Sequence, residues 1–294
     1  MKRIVILLVL ACLLPSCTCG EAREALDTSA NAAAQGEHLR VDLPQLGKNN
    51  QNIYHVQWGE FSGQPGRDCA VVLADGQDDD ARQTEVYLLV DLDGKFSVYE
   101  LGMFDQHVIP SGNLYAADLD DDGVDEIVYS GEFTGNGGTV AHVYKVTNGQ
   151  IQLMYDASAH DDISVSKYGY TYEFLEGKRL AIKNEAVGYR AEQEISDLFA
   201  SEYFNEAGLP ISSAPVYFLT GDARLAVARD EDGSAVLKYM QYAEGDAAFG
   251  CTITTLKYNT ETKGFDVTGA AYVPKGYFGW DKLLKESDWT YVAG

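Results

Sequence analysis

The 294-residue sequence predicts a mainly β chain with one or two short helices. Three observations carry that expectation. Tyrosine is abundant at 19 while proline numbers only 7, a balance that favours pleated strands over a helix bundle. Short runs of alternating character end repeatedly in Asp-Gly, Asn-Gly or Glu-Gly pairs, the turn chemistry of β-hairpins. One segment, Leu114 to Val128, reads as apolar strand, acidic loop, apolar strand.

The first residues address the chain rather than fold it. Met1-Lys2-Arg3 supplies two positive charges, and the apolar run Ile4 to Leu14 is too short to cross a hydrocarbon core of roughly 30 Å as a helix. The run ends in Leu14-Pro15-Ser16-Cys17, which looks like a lipobox, with Leu three before the cysteine and a small residue just before it. Residues 1–16 are therefore read as a lipoprotein signal peptide and Cys17 as the lipidated N-terminus left by cleavage. An earlier candidate, Val9-Leu10-Ala11-Cys12, would leave the apolar run too short; an ordinary secretory signal cut nearby is the alternative reading. Residues 17–50 carry much Ala, Asn, Gln and Glu without a convincing apolar period, and read as a flexible tether. The expected location is extracytoplasmic, anchored to a bacterial membrane by lipid.

Charge narrows the partners. The full chain carries a formal −23; removing residues 1–16 takes Lys2 and Arg3, leaving 20 Lys+Arg against 45 Asp+Glu, near −25. Such a surface repels phosphate backbones and anionic lipid heads, so nucleic acid is not expected as a partner, while it suits cations, basic partners or simple colloidal solubility. After processing the cysteines are Cys17, Cys19, Cys69 and Cys251. An exported compartment permits a Cys69–Cys251 disulfide, and two separate buried thiols are the equal alternative. Neither a CxxC pair nor a His/Cys cluster points to zinc.

The acidic loop is the one segment with recognisable chemistry. Asp118, Asp120 and Asp122 alternate, Gly123 supplies a tight turn, and Glu126 closes the loop at the ninth position. Hard oxygen donors at this spacing suit calcium better than magnesium, and carboxylates that close repel one another strongly without a cation. An EF-hand would need Glu at the twelfth position and a helix on each side; here the twelfth residue is Tyr129 and the flanks are strand-like. The segment resembles instead the FG-GAP or VCBS-type repeat, the calcium-loop unit of integrin-like β-propellers, over about 15 residues, with a weaker match around it. The resemblance implies one structural calcium ion held by Asp118, Asp120, Asp122 and Glu126 side chains and the Val124 carbonyl.

A second copy precedes it. A shift of 58 residues places Glu60 on Asp118, Ser62 on Asp120, Gln64 on Asp122 and Asp68 on Glu126, keeping the Gly-rich turn and losing most carboxylates. Both copies run into hairpins, Val86 to Val90 turning at Asp93-Gly94 and Ala141 to Val146 turning at Asn148-Gly149. Residues 51–160 thus read as two repeat units. Residues 161–294 read as a divergent β-rich region packed with them, with strands at Ile163–Lys167, Tyr170–Phe174, Arg179–Lys183, Val216–Leu219, Arg224–Arg229, Ala235–Tyr242, Cys251–Tyr258 and Phe265–Tyr272. Helices are expected at Glu192–Ala207, stopped by Gly208 and Pro210, and at Trp280–Glu286. The length after the tether, about 245 residues, leaves room for four or five blades rather than seven. A small or irregular β-propeller-like assembly is the first expectation; two repeat units plus a divergent C-terminal β-domain is the alternative.

Catalysis has no motif. The five histidines are dispersed without HExxH or His-x-His spacing, and no GxSxG, SxxK or P-loop pattern is present. Gly131 to Gly138 leads from strand to strand and reads as a hairpin loop rather than an anion cradle. Tyr168, Tyr170 and Tyr172 share a strand face, as core or as a stacking surface, with Tyr277, Phe278 and Trp280 as further aromatics. The functional expectation is a calcium-binding interaction module at the cell surface, taking a protein or polysaccharide partner. An extracytoplasmic carbohydrate-active hydrolase and a purely structural envelope protein are the alternatives.

Overall fold

The computed structural model describes residues 39–43, 48–63, 68–75, 83–92, 95–105, 109, 112–132, 139–158, 168–195, 197–212, 219–243 and 250–273. Cys17 and the signal segment, the strand expected at 163–167, most of the 131–138 loop, Tyr277, Phe278, Trp280 and the helix expected at 280–286 lie outside them.

Among the described residues the chain is mainly β, built as four antiparallel sheets, each of which takes its strands in sequence order. The first contains β1 (Leu39–Leu43), β2 (Lys48–Gly59), β3 (Asp68–Asp75), β4 (Gln83–Leu92) and β5 (Lys95–Asp105). The second contains β6 (Asn113–Ala117), β7 (Glu126–Glu132), β8 (Thr139–Thr147) and β9 (Gln150–Asp156). The third is β10 (Tyr170–Leu175), β11 (Arg179–Asn184) and β12 (Tyr189–Glu194); the fourth is β13 (Leu219–Arg229), β14 (Ala235–Ala243), β15 (Cys251–Asn259) and β16 (Gly264–Val273). Two compact units divide the chain, one holding residues up to 136 together with His142–Asp156, the other Gly137–Ala141 and the residues from Ala157 onward.

In the first unit the central strands are buried on both faces, so their sequences are continuous apolar runs rather than alternating ones. Cys69 to Ala74 of β3 and Val86 to Val90 of β4 are all buried. Ile53, Cys69, Val71, Leu73 and Leu89 form one packed cluster with Val56, Trp58 and Phe96 against it. Each such Val or Leu taken from water contributes about 1.5–3 kcal/mol before chain entropy is counted. The outer strands are wetter: Val98 and Met103 on β5 and Leu153 on β9 are exposed. Asn148 and Gly149 take φ of 53° and 72°, the left-handed pair of a type I′ turn, and set the Thr147–Gln150 register of β8 against β9.

Two expectations need correction here. β1 lies inside the segment read as tether, where Leu39, Val41 and Leu43 alternate with Arg40 and Asp42; that period of two outweighs the polar composition around it. The helix expected from Glu192 starts later. Arg179 to Ala181 pair with Glu192 to Glu194, so these residues complete β12, whose burial alternates with period two. Among the described residues the only α-helix, α1, spans Asp197–Tyr203. Ala200 and Phe204 are buried there, and Phe174 packs on Tyr203 and Phe204 at ring distances of 4.8 and 5.2 Å.

The second unit uses its tyrosines as core. Tyr168 packs edge-on against Tyr239 at 4.7 Å, and the Tyr170 hydroxyl donates to the Ile253 carbonyl at 2.9 Å. Tyr170 and Phe174 are buried while Thr171 and Glu173 between them are exposed, so the shared face of Tyr168, Tyr170 and Tyr172 points inward rather than to a ligand. Of the two cysteine alternatives the structure has the thiols: Cys69 on β3 and Cys251 on β15 are buried, not bridged, and each Sγ donates to the carbonyl of its following residue.

Candidate metal centre

Ala117 pairs with Glu126, so β6 and β7 bracket an eight-residue acidic loop, residues 118–125. Its shape comes from its own carboxylates. Asp118 Oδ1 accepts the Asp122 amide at 3.1 Å and its Oδ2 accepts the Gly123 amide at 2.9 Å. Asp122 Oδ1 accepts the Val124 amide at 3.0 Å. Asp121 and Gly123 adopt φ of 59° and 84°, so the chain turns left-handed twice and brings alternate side chains to one side. Asp121 is one of few side chains that tolerate that region, which explains an Asp at a position with no ligand role in the expected pattern.

Glu126 anchors the loop from below. It is fully buried at the first position of β7, and its Oε2 accepts the Leu119 amide at 2.8 Å. Oxygens of Asp118, Asp120 and Glu126 lie within 4.8 Å of one another. Asp122 is nearer solvent, with 46 % of its side chain exposed against 13 % for Asp120. The structure thus brings together Asp118, Asp120 and Glu126, places Asp122 at the rim, and engages Val124 through its amide.

The sequence reading missed the group that faces these carboxylates. Lys145 on β8 donates from Nζ to Asp120 Oδ2 at 2.6 Å, Asp122 Oδ2 at 2.8 Å and Glu126 Oε1 at 2.9 Å. A signal was present: Lys145 is the only Lys or Arg between Lys95 and Lys167, a stretch dense in carboxylates. Burial pushes the Glu126 carboxyl up to about 7, with the Asp120 charge adding to the rise and the Lys145 and Leu119 bonds opposing it. Burial acts to raise Asp122 too, but its bonds from Lys145 and the Val124 amide hold it below the ordinary carboxylate value. The Lys145 ammonium loses solvation, yet the three carboxylates hold its proton more firmly than usual. Asp120 Oδ1 is buried and accepts no hydrogen bond.

The expected second copy has a matching anchor with other contents. Asp68, aligned with Glu126, is also buried at the start of a second strand, and its Oδ2 accepts the Ser62 amide at 2.7 Å. Among the described residues Asp68 belongs to no cluster of three or more side chains that could hold an ion. A third loop, unrecognised beyond its Asp232-Gly233 turn, lies between β13 and β14. There Lys257 of β15 donates to Asp232 at 2.9 Å and Asp230 at 3.5 Å, and the Asp232 carboxyl lies well below its ordinary value through its bonds from Lys257 and Ser234.

No protein-family model matches the chain, and no curated protein matches it. Similar solved structures include a protein from Lactobacillus plantarum, 14 % identical over 77 % of this chain and 69 % of that one, with a TM-score of 0.19. They also include a xylan β-1,4-xylosidase from Bacillus halodurans, 15 % identical over 77 % of this chain and 47 % of that one, with a TM-score of 0.20. At such scores neither likeness carries an argument about fold or activity.

Proposed function

We propose that this chain is a lipid-anchored extracytoplasmic β-sheet protein that binds one divalent cation, calcium, in the loop Asp118–Glu126 and serves as an interaction module at the cell surface. The observation that carries the cation site is the convergence of Asp118, Asp120 and Glu126 oxygens within 4.8 Å on a loop already folded by its own side chains. The donors are all oxygen, which favours calcium over the transition metals, and the exposed rim residue Asp122 suits its variable geometry. The ion's role is structural: it stabilises the loop that joins β6 to β7.

Anchoring rests on the lipobox ending in Cys17, and the interaction role on a strongly acidic, membrane-tethered chain without a catalytic motif. Sheets that follow one another as sequential meanders support a small propeller-like assembly, the architecture in which such loops recur. A surface protein or polysaccharide is the proposed partner class.

Thermal unfolding of the detergent-solubilised full chain tests the cation site. With a dissociation constant of about 10⁻⁴–10⁻³ M, 10 mM calcium stabilises the native state by about 1.4–2.7 kcal/mol over EDTA, a rise of several degrees in Tm. Asp120→Ala abolishes the rise. Equal melting of the unaltered chain in calcium and EDTA removes the metal from this reading. Cys17→Ala tests the anchor: loss of lipid labelling and release from the membrane fraction support it, and unchanged membrane retention refutes it.

A further inference from the structure

We infer that Lys145 is the resident cation of the 118–126 loop: its ammonium holds the carboxylates together in the metal-free protein, and a divalent cation enters only by displacing it. The inference rests on the cation-site reading above for its second half alone.

Three distances define the first half. A single Nζ stands 2.6, 2.8 and 2.9 Å from Asp120, Asp122 and Glu126, one side chain from each level of the loop, from rim to floor. An ammonium has three hydrogens, so all its donors are used and none is left for another partner. The position is a cation's position, within hydrogen-bond reach of three carboxylates that would otherwise repel. A strand residue fixes it there: Lys145 pairs with Gln152 of β9, so the backbone from which the side chain reaches is held on the ladder.

The device recurs independently. In the fourth sheet Lys257 also comes from the third strand of a meander and reaches the loop between the first two strands, meeting Asp230 and Asp232. The two loops differ in charge balance. Lys257 meets two carboxylates there, whereas Lys145 meets three, with Asp118 clustered beside Asp120 and Glu126 as a fourth, and the buried Asp120 Oδ1 is left without a partner. One ammonium suffices for the first arrangement. In the second it leaves an excess of negative charge that a divalent ion neutralises better, so the two cations compete for one place.

Competition sets the expected numbers. If the state with Lys145 withdrawn is populated below about one part in ten, removing the ammonium tightens calcium binding by at least about tenfold. The test measures calcium affinity and Tm in EDTA for the full chain in detergent, unaltered and with Lys145→Met and Lys145→Gln. It also measures acylation of Lys145 in the unaltered chain by an amine-specific reagent, read by peptide mass spectrometry, with and without calcium. The expected result is a lower Tm of both variants in EDTA, tighter calcium binding by both, and faster Lys145 acylation when calcium is present. Equal affinity and unchanged acylation in a chain that does bind calcium overturns the displacement and leaves the metal site standing. If calcium binds none of the proteins, the metal reading fails; the resident-cation role then survives only if both variants melt lower in EDTA, and unchanged melting overturns it. Should neither variant fold, acylation of the unaltered chain decides: Lys145 labelled as fast as an exposed lysine without calcium refutes the inference.

Discussion

Asp125 and Glu60 are joined twice: the Asp125 amide donates to the Glu60 carbonyl at 3.0 Å, and the Glu60 amide donates to Asp125 Oδ2 at 2.9 Å. This reciprocal pair fastens the acidic loop of the second sheet to the corresponding loop of the first. The side-chain half of it is accessible to substitution. Asp125→Ala keeps the backbone bond and loses the carboxylate acceptor, at a cost near the lower end of about 0.5–1.5 kcal/mol because the site is exposed. Asp125→Asn retains an acceptor and costs less. Urea unfolding of the two variants checks this; equal losses show that the side-chain bond contributes nothing.

That pairing also marks where sequence reading stopped. Alternation and turn chemistry located β6 to β9 and β13 to β16 because strand period and Asn-Gly or Asp-Gly turns are local properties, written in adjacent residues. The shift of 58 residues that set Asp68 on Glu126 found two carboxylates with the same structural task, each buried at a strand start and each accepting a loop amide. Lys145 and the Glu60–Asp125 link escaped because both depend on which strands become neighbours, 19 to 65 residues apart in sequence. The helix expected at 192–207 is shortened for the opposite reason: Ile195, Leu198 and Phe199 do stand at helical spacing in the sequence, but ladder bonds to β11 claim Tyr189 to Glu194 first.

His55 sets a pH dependence. Burial lowers its pKa below 6.5, opposed by the bond between its Nε2 and the Ile109 carbonyl at 3.0 Å. The Tyr129 ring, 6.5 Å away, offers no charge to compensate. The unfolded chain therefore takes up the proton first: the stability contribution is complete above pH 6.5 and is lost as pH falls toward the folded value. Relative to His55→Gln, the unaltered chain should lose stability as pH falls below about 6.5. Unfolding of both proteins across that range in EDTA checks it, the difference between them cancelling all other titrations. Parallel curves refute the assignment.

The thiols give a chemical prediction. Cys69 and Cys251 are both only 2 % exposed and carry hydrogen bonds to neighbouring carbonyls, so neither reacts with a thiol reagent while the chain is folded. In urea without reductant both should label. Peptide mapping then finds Cys69 and Cys251 on separate, labelled peptides; a joined pair of peptides refutes the two separate thiols.

Gly59 closes β2 where the first loop begins, and it is required for space rather than for backbone freedom. A Cβ there would lie 2.7 Å from the Phe61 ring and 2.9 Å from the Ala116 methyl, closer than real carbons approach. Phe61 is fully buried, so its ring has little room to retreat, and Ala116 sits on β6 in register with Ile127. Gly59→Ala should therefore cost about 1–3 kcal/mol by overpacking. If the ring is the obstacle, combining it with Phe61→Leu relieves part of that cost, so the double variant is less destabilised than the sum of the singles. Strict additivity would place the strain in the β2 backbone or against Ala116 instead. The cycle therefore separates a clash confined to one loop from one that couples β2 to β6 and, through β6, to the acidic loop that follows it.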